Sequence, residues 1–188
     1  MDMTQQTRAW QFCGAWMLAF LGIPVAGLVG IAVAGPLTTT LDGVLGGVAA
    51  GAVIGLAQWL VLRQRLSLSP WWIAATAAGM GAGLALGIAL VGTATEGVAL
   101  PLRGLVTGAA IGIAQFLVLR ARSDRAAIWV PVVALGWALG WLIMRATGID
   151  LAPHWYVFGA GGAVTFQVLT GLALGWLLQG HDRGMVVA

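Results

Sequence analysis

Residues 51–63, GAVIGLAQWLVLR, and residues 108–120, GAAIGIAQFLVLR, are two copies of one segment. Ten of their thirteen positions are identical without a gap, at an offset of 57 residues. Each copy is an apolar run that contains one glutamine and ends in one arginine. Apolar runs that extend to about 20 residues are typical of transmembrane helices. The repeated segment therefore predicts a chain that crosses a membrane several times.

The composition of the whole chain agrees with a membrane protein. Of its 188 residues, 60% are hydrophobic and 8% are charged, and the mean hydropathy is +0.96. A soluble fold cannot cover that much apolar surface. The arginines are too few and too scattered to follow nucleic-acid phosphates. The sequence thus predicts an all-α integral membrane protein that contacts the lipid bilayer and does not bind nucleic acid.

Six apolar runs predict six transmembrane helices, at residues 12–34, 43–62, 70–92, 101–119, 126–144 and 155–178. Most arginines then fall on the side of the termini: Arg8, Arg63, Arg65, Arg120, Arg122, Arg125 and Arg183, against Arg103 and Arg145 on the other side. Because cytoplasmic loops are enriched in arginine, we expect a bacterial plasma-membrane protein with both termini in the cytoplasm. The alternative is signal-peptide cleavage after Ala34, which would leave five spans.

The offset of 57 residues also carries Trp72 onto Trp129 and Gly79 onto Gly136. We therefore predict one domain, 1–188, built from three tandem helical hairpins at residues 10–65, 66–122 and 123–183. Each hairpin has two spans, so successive units keep the same orientation, and a pseudo-threefold bundle follows. The third unit fits the pattern only if extra residues are allowed in the loop 147–154.

Glycines recur at intervals of four within the repeated segment, at Gly51, Gly55, Gly108 and Gly112. Such stripes let helix backbones approach closely in lipid. We interpret these glycines as helix-packing positions, with ligand approach as the less favoured alternative.

Glutamine is the repeated polar residue of the spans. Gln58 and Gln115 lie on the glycine face of their helices, so we expect both to point into the bundle. The favoured role is an interhelical hydrogen bond worth about 0.6 to 1.7 kcal/mol, and the alternative is a ligand contact. Gln167 lies near the middle of the sixth predicted span, where the sequence departs from the repeat. A structural hydrogen bond is favoured there too.

No Asp, Glu, Arg or His is predicted deep in a span, which argues against ion channels and proton-coupled pumps. Charged and titratable residues are assigned to the outer loops instead: Asp42, Glu96, Arg103, Arg145, Asp150 and His154. The three acids of this set could form a weak cation site, but helix caps and solvated charges are favoured. The two histidines fall on opposite sides, so no metal site is expected.

No catalytic signature is present: the sequence lacks HExxH, CxxC, GxSxG and a phosphate-binding glycine loop. We expect a protein that is not an enzyme. The first hypothesis is an accessory or scaffold subunit whose surplus glycine stripes pack against other membrane protein subunits. The alternative is a small transporter or binding component for a neutral or apolar ligand, lined by Gln58, Gln115 and Gln167. A lipid or a carotenoid-like molecule would suit such apolar surroundings.

Overall fold

The computed structural model describes residues 3–147 and 160–184, and all regular secondary structure within those residues is helical. Helices occupy most of this length: α1 Met3–Leu18, α2 Gly22–Ala34, α3 Thr40–Leu66, α4 Trp71–Val91, α5 Ala99–Leu119, α6 Trp129–Ala146 and α7 Ala160–Gly184. Short 3-10 turns join α1 to α2 and precede α6. Helices α1 and α2 share the first predicted span, and the next four predicted spans each coincide with one helix to within four residues. The sixth, 155–178, overlaps α7.

Five helical segments are long and apolar enough to cross a membrane: Gln11–Ala34, Thr40–Leu66, Trp71–Val91, Ala99–Leu119 and Ala126–Ala146. Large apolar side chains on these segments point outward, where lipid would cover them; Leu90, for example, is 72% exposed. The chain is therefore a polytopic membrane protein. The sixth predicted span falls on α7, whose described apolar part, Gly162–Leu177, is shorter than the others. That span stays a prediction.

The first span is interrupted near its proline. Helix α1 ends at Leu18, a 3-10 turn covers Ala19–Leu21, and α2 begins at Gly22. Pro24 has no N–H to donate to the carbonyl of Phe20, which lies in that turn. Proline thus distorts the span one turn before its own position.

Helices that follow one another in sequence pack against one another, from α2 through α7, and α1 contacts α7. The first and last helices of the described chain therefore meet.

The two copies of the repeated segment pack in the same way on the helix that follows each of them. A side chain at Gly51 would place its Cβ 2.7 Å from the carbonyl oxygen of Thr76, and one at Gly108 would lie 2.7 Å from that of Val133. Thr76 and Val133 are themselves 57 residues apart. The fit is nearly as close one turn further along each helix, at Gly55 and Gly112. Backbones meet at these positions, so no side chain larger than hydrogen can be accommodated without a shift.

Helix ends also match at the same offset. Helices α2 and α4 both finish at a glycine with positive φ, 69° at Gly35 and 81° at Gly92. The N–H of each glycine donates to the carbonyl four residues earlier, at 2.7 and 2.8 Å. Glycine favours this turn because it has no Cβ to clash.

Helix α3 begins with a capping box. Asp42 accepts hydrogen bonds from the backbone N–H groups of Thr38 and Thr39, and its own N–H donates to the Thr39 hydroxyl. The favoured interpretation of this acid as a helix cap is therefore correct.

Candidate functional site

Two of the predicted site residues form one buried hydrogen-bond network. Gln58 and Gln115 are 2% and 1% exposed, which confirms that they point into the bundle. The Nε2 of Gln115 donates to the Oε1 of Gln58 at 3.1 Å and to the Thr76 hydroxyl at 2.9 Å. The indole N–H groups of Trp72 and Trp129 donate to Gln58 and Gln115, at 3.2 and 2.8 Å. We call these five residues the glutamine network, and they link α3, α4, α5 and α6.

Gln167 belongs to a separate contact that joins α1 to α7. Its Nε2 donates to the backbone carbonyl of Trp16. The Trp16 indole N–H in turn donates to the backbone carbonyl of Gln167 at 3.1 Å and to the Thr170 hydroxyl at 3.2 Å. All three side chains are essentially buried. This geometry agrees with the structural hydrogen bond that was favoured for Gln167.

A cavity lies on the other side of the glutamine network from the arginine-rich helix ends. It encloses about 70 Å³ and is partly open to the outside. Its described lining comes from α2 to α6 and from the turn after α2: Ile23, Ala26, Gly27, Gly30, Ile31, Gly35, Leu37, Gly46, Ala50, Ile54, Met80, Leu84, Leu100, Arg103, Gly104, Thr107, Trp137 and Trp141. The enclosed part is smaller than common small-molecule sites, which measure about 300–1,000 Å³. None of the three glutamines lines this cavity.

One wall of the cavity is polar. Helix α5 contributes Arg103 and Thr107, one helical turn apart, and they are 2% and 1% exposed. The remaining lining side chains are aliphatic, glycine or tryptophan. The cavity therefore combines a mainly apolar surface with polar groups on a single helix.

The position of Arg103 corrects the prediction that it lies in an outer loop. Helix α5 begins at Ala99, with Pro101 inside the first turn, so Arg103 belongs to the helix. Arg103 is only the fifth residue of α5, so the expectation that no ionisable side chain lies deep in a span is not contradicted by it. Its guanidinium donates to the carbonyl oxygens of Gly92 and Ala94, at 2.9 and 2.7 Å.

Packing on α4 makes room for this arginine. A Cβ at Gly87 would lie 2.6 Å from the Cγ of Arg103, so the arginine stem crosses α4 where that helix has no side chain. The guanidinium binds two carbonyl oxygens of the loop that follows α4. One role of Arg103 is thus to tie this loop to α5.

The hydroxyl of Thr107 differs in its hydrogen bonding from those of the other buried threonines of the described chain. Its Oγ1 is buried and has no hydrogen-bond partner among the described residues. The other two buried threonines of the described chain each donate to the carbonyl one turn earlier: Thr76 to Trp72 and Thr170 to Phe166, both at 2.8 Å. A buried hydroxyl without a partner costs about 1–3 kcal/mol. The Thr107 hydroxyl is therefore a destabilising feature unless something in the cavity bonds to it.

The polar wall is marked in the sequence by a difference between two repeat units, which was not used to predict the site. The positions 57 residues before Arg103 and Thr107 are Gly46 and Ala50, and both also line the cavity. One repeat unit therefore presents small apolar residues where the next presents a cation and a hydroxyl. Alignment of residues 43–50 with residues 100–107 distinguishes Arg103 and Thr107 from their counterparts.

A cation site at the outer acids was the less favoured interpretation of Asp42, Glu96 and Asp150. Among residues 3–147 and 160–184, no three His, Cys, Asp or Glu side chains lie close enough together to hold a metal ion. Asp150 and His154 lie outside the described residues. Asp42 is engaged in the capping box.

No protein family matches this sequence, and neither a curated protein nor a solved structure gives a significant match. The assignment of the chain as a polytopic membrane protein therefore depends on its own helices, five of which are long and apolar enough to span a bilayer.

Proposed function

We propose that this protein is a ligand-binding membrane component that holds a membrane-soluble small molecule in the cavity between α2 and α6. The observation that carries the proposal is the buried Thr107 hydroxyl, which has no hydrogen-bond partner among the described residues and lies in the wall of a partly open, mainly apolar cavity. Buried polar groups in proteins are almost always bonded, and exceptions occur at sites that receive another molecule. The apolar lining suits a molecule that partitions into lipid.

Binding is favoured over passage through the bundle because the cavity is closed on one side. Its lining reaches Ile54 on α3, and Gln58 in the glutamine network lies one turn beyond. Leu62 and Leu119, one turn past the two glutamines, are completely buried. A ligand would have to break four interhelical side-chain hydrogen bonds and displace packed side chains to continue along the bundle.

The accessory-subunit hypothesis relied on glycine stripes left over for other subunits. The stripes of α3, α4 and α5 are used within the chain instead: a Cβ at Gly47 would meet the Cα of Gly81 at 2.7 Å, and one at Gly83 would meet the Cα of Thr107 at 2.7 Å. Only on α7, at Gly175, does a described stripe glycine have no atom within 4 Å of an added Cβ, so a scaffold role becomes an outcome of the test below.

The test is native mass spectrometry, with an absorption spectrum, of protein tagged at its C-terminus and extracted in mild detergent. We expect one small amphiphile for each polypeptide. In the variant Ala50→Leu, a larger side chain enters the cavity from α3, and the bound mass should be lost. Ala82→Leu adds the same atoms on an exposed face of α4 and should keep the ligand.

Retention of the same bound mass in Ala50→Leu would place the molecule outside the cavity and refute the proposal. Recovery of the protein without a small molecule, in fixed ratio with other membrane subunits, would support the scaffold hypothesis. Visible absorption that copurifies with the wild type and is lost from Ala50→Leu would identify a pigment as the ligand.

The proposal places this protein in a bacterial plasma membrane as three hairpins, with the arginine-rich helix ends in the cytoplasm. The excess of arginine at that end supports the orientation. Two of these arginines also contact tryptophan rings: the Arg63 guanidinium lies 4.8 Å from the Trp59 ring centre, and that of Arg125 lies 4.7 Å from the Trp176 ring centre. Single cysteines can test it in a background with the native cysteine replaced. An impermeant thiol reagent applied to spheroplasts should label Thr93→Cys and spare Gln64→Cys, and the reverse pattern would invert the topology.

A further inference from the structure

We propose that the turn between α5 and α6 binds the phosphate of an anionic phospholipid. This turn, which we call the basic turn, runs from Arg120 to Arg125, after the end of α5 and before the 3-10 turn that precedes α6. It lies at the arginine-rich end of the bundle, on the other side of the glutamine network from the cavity. The lipid site is therefore separate from the cavity and does not depend on what the cavity holds.

Charge is distributed unevenly between the two ends of the bundle. Among residues 11–147 and 162–177, the arginine-rich end carries five arginines and one acid: Arg63, Arg65, Arg120, Arg122, Arg125 and Asp124. The other end carries two arginines and two acids, whose formal charges cancel: Arg103, Arg145, Asp42 and Glu96. Anions are thus attracted to the arginine-rich end.

The basic turn holds three of these five arginines within six consecutive residues. Arg120, Arg122 and Arg125 are all exposed. Among the described residues, none accepts a hydrogen bond from these three guanidiniums. Arginine stays protonated under all physiological conditions. The turn therefore presents permanent cations whose N–H donors can bind an external anion.

Backbone hydrogen bonds give the basic turn a fixed shape. The N–H groups of Arg122 and Ser123 both donate to the carbonyl of Leu119, at 2.8 and 3.2 Å. The Ser123 hydroxyl accepts from the N–H of Arg125 at 3.3 Å. Leu119 and Ala126, which flank the turn, are buried. Because the backbone is already ordered, less conformational entropy is lost when the arginines bind one head group.

Arg125 also contacts a tryptophan on a neighbouring helix. Its Cζ lies 4.7 Å from the centre of the Trp176 ring on α7, and Trp176 is 46% exposed. A guanidinium over an aromatic ring is attracted by the electrons of the ring face. Exposed tryptophans in membrane proteins are enriched at the depth of the lipid head groups. The contact therefore holds one guanidinium where a lipid phosphate would lie.

The matching turn of the preceding repeat unit lacks the third arginine. At an offset of 57, Arg63 and Arg65 correspond to the first two arginines of the basic turn, whereas Leu68 corresponds to Arg125. Leu68 is buried. One turn thus packs an apolar side chain at the position where the other presents a cation. We therefore assign the lipid site to the basic turn, with Arg125 as the residue that distinguishes it.

Location and charge favour a phospholipid as the ligand. Arginine donors match the oxygens of a phosphate in geometry as well as in charge. Each basic residue beside a bilayer strengthens the binding of anionic lipids about 5-fold. Three arginines against the single acid Asp124 favour a head with a net negative charge over a zwitterionic head. Three arginines are also too few to follow the phosphates of a nucleic acid.

The test is titration of delipidated protein in mild detergent with phosphatidylglycerol and with phosphatidylcholine of the same acyl chains, monitored by native mass spectrometry. We expect wild type to bind phosphatidylglycerol about 10-fold or more tightly than phosphatidylcholine. Arg125→Gln should weaken phosphatidylglycerol binding about 5-fold, and replacement of all three arginines of the turn by glutamine should abolish the preference. Arg145→Gln removes an exposed arginine from the other end of the bundle and should bind as wild type does.

Equal binding of the two lipids to wild type would overturn the proposal, and so would a loss in Arg145→Gln as large as that in Arg125→Gln. Displacement of phosphatidylglycerol by inorganic phosphate at constant ionic strength would indicate a site for a soluble anion and would also overturn it. Ala50→Leu, which alters the cavity, should keep the preference for phosphatidylglycerol. Loss of the preference in that variant would place the lipid in the cavity and refute a site at the basic turn, so the two proposals fail separately.

Discussion

Replacement of Thr107 by valine should stabilise the ligand-free protein, although most substitutions of buried residues do the opposite. Thr107 is 1% exposed, and its hydroxyl oxygen has no hydrogen-bond partner among the described residues. Valine has the same branched shape and replaces the hydroxyl by a methyl group. The unsatisfied hydroxyl costs about 1–3 kcal/mol, so we expect a gain of about 1 kcal/mol or more in the free energy of unfolding. In a chain of this size that corresponds to a melting temperature about 2–4 °C higher.

The assay is thermal unfolding in mild detergent, monitored by tryptophan fluorescence, after bound small molecules have been washed out. Thr76→Val is the matched control, because the Thr76 hydroxyl donates to the Trp72 carbonyl and accepts from Gln115. Loss of these bonds should destabilise the protein by about 0.6–1.7 kcal/mol. The two variants should thus shift the melting temperature in opposite directions. A decrease for Thr107→Val as large as that for Thr76→Val would refute the reasoning, since it would mean that the Thr107 hydroxyl is bonded within the protein.

Three further changes test the scaffold around the cavity. Replacing Gln58 and Gln115 together by leucine should lower thermal stability and leave ligand mass in native spectra unchanged, because neither side chain lines the cavity; selective loss of ligand from a stable variant would contradict this. Gly108→Leu should prevent accumulation of folded protein in membranes, since its Cβ would lie 2.7 Å from a neighbouring carbonyl, whereas Gly175→Ala should be tolerated because no atom lies within 4 Å of the added methyl group; size-exclusion profiles compare the two. Asp42→Ala should cost about 0.5–2 kcal/mol in thermal unfolding through loss of the capping box, and an unchanged melting temperature would show that the cap contributes nothing.

Much of the architecture follows from sequence patterns that depend on local physics. Helix positions follow from apolar run length, and the break in the first span follows from the missing N–H of Pro24. Burial of Gln58 and Gln115 follows from the helix face that they share with the glycines. The cap at Asp42 follows from a short acid beside two threonines at a helix start.

The candidate site was harder to predict because it depends on contacts between helices. Arg103 was assigned to an outer loop because of its charge, but α5 begins at Ala99, and Gly87 on α4 leaves room for the arginine stem. The missing partner of Thr107 is equally invisible in the sequence, since threonines at positions 76 and 170 bond to a carbonyl one turn back. Only the arrangement of neighbouring side chains distinguishes the three hydroxyls.

The offset of 57 residues between repeat units also relates the residues that line the cavity, and it accounts for the position of the cavity. At offsets of 57, Ile23 corresponds to Met80, and Gly27 corresponds to Leu84, and all four line the cavity.

The next offset of 57 leads from Met80 to Trp137 and from Leu84 to Trp141, two more lining residues. Side-chain volume is about equal at Ile23 and Met80, increases from Gly27 to Leu84, and is largest at the two tryptophans of α6. On the helices between them, Gly46 and Ala50 are small where α5 has an arginine and a threonine. Space is consequently left beside α2 and α3, while the polar groups and the large rings lie on the opposite walls. Three identical units would make three equivalent walls, whereas these differences between the units make one wall of the cavity polar and another apolar and aromatic.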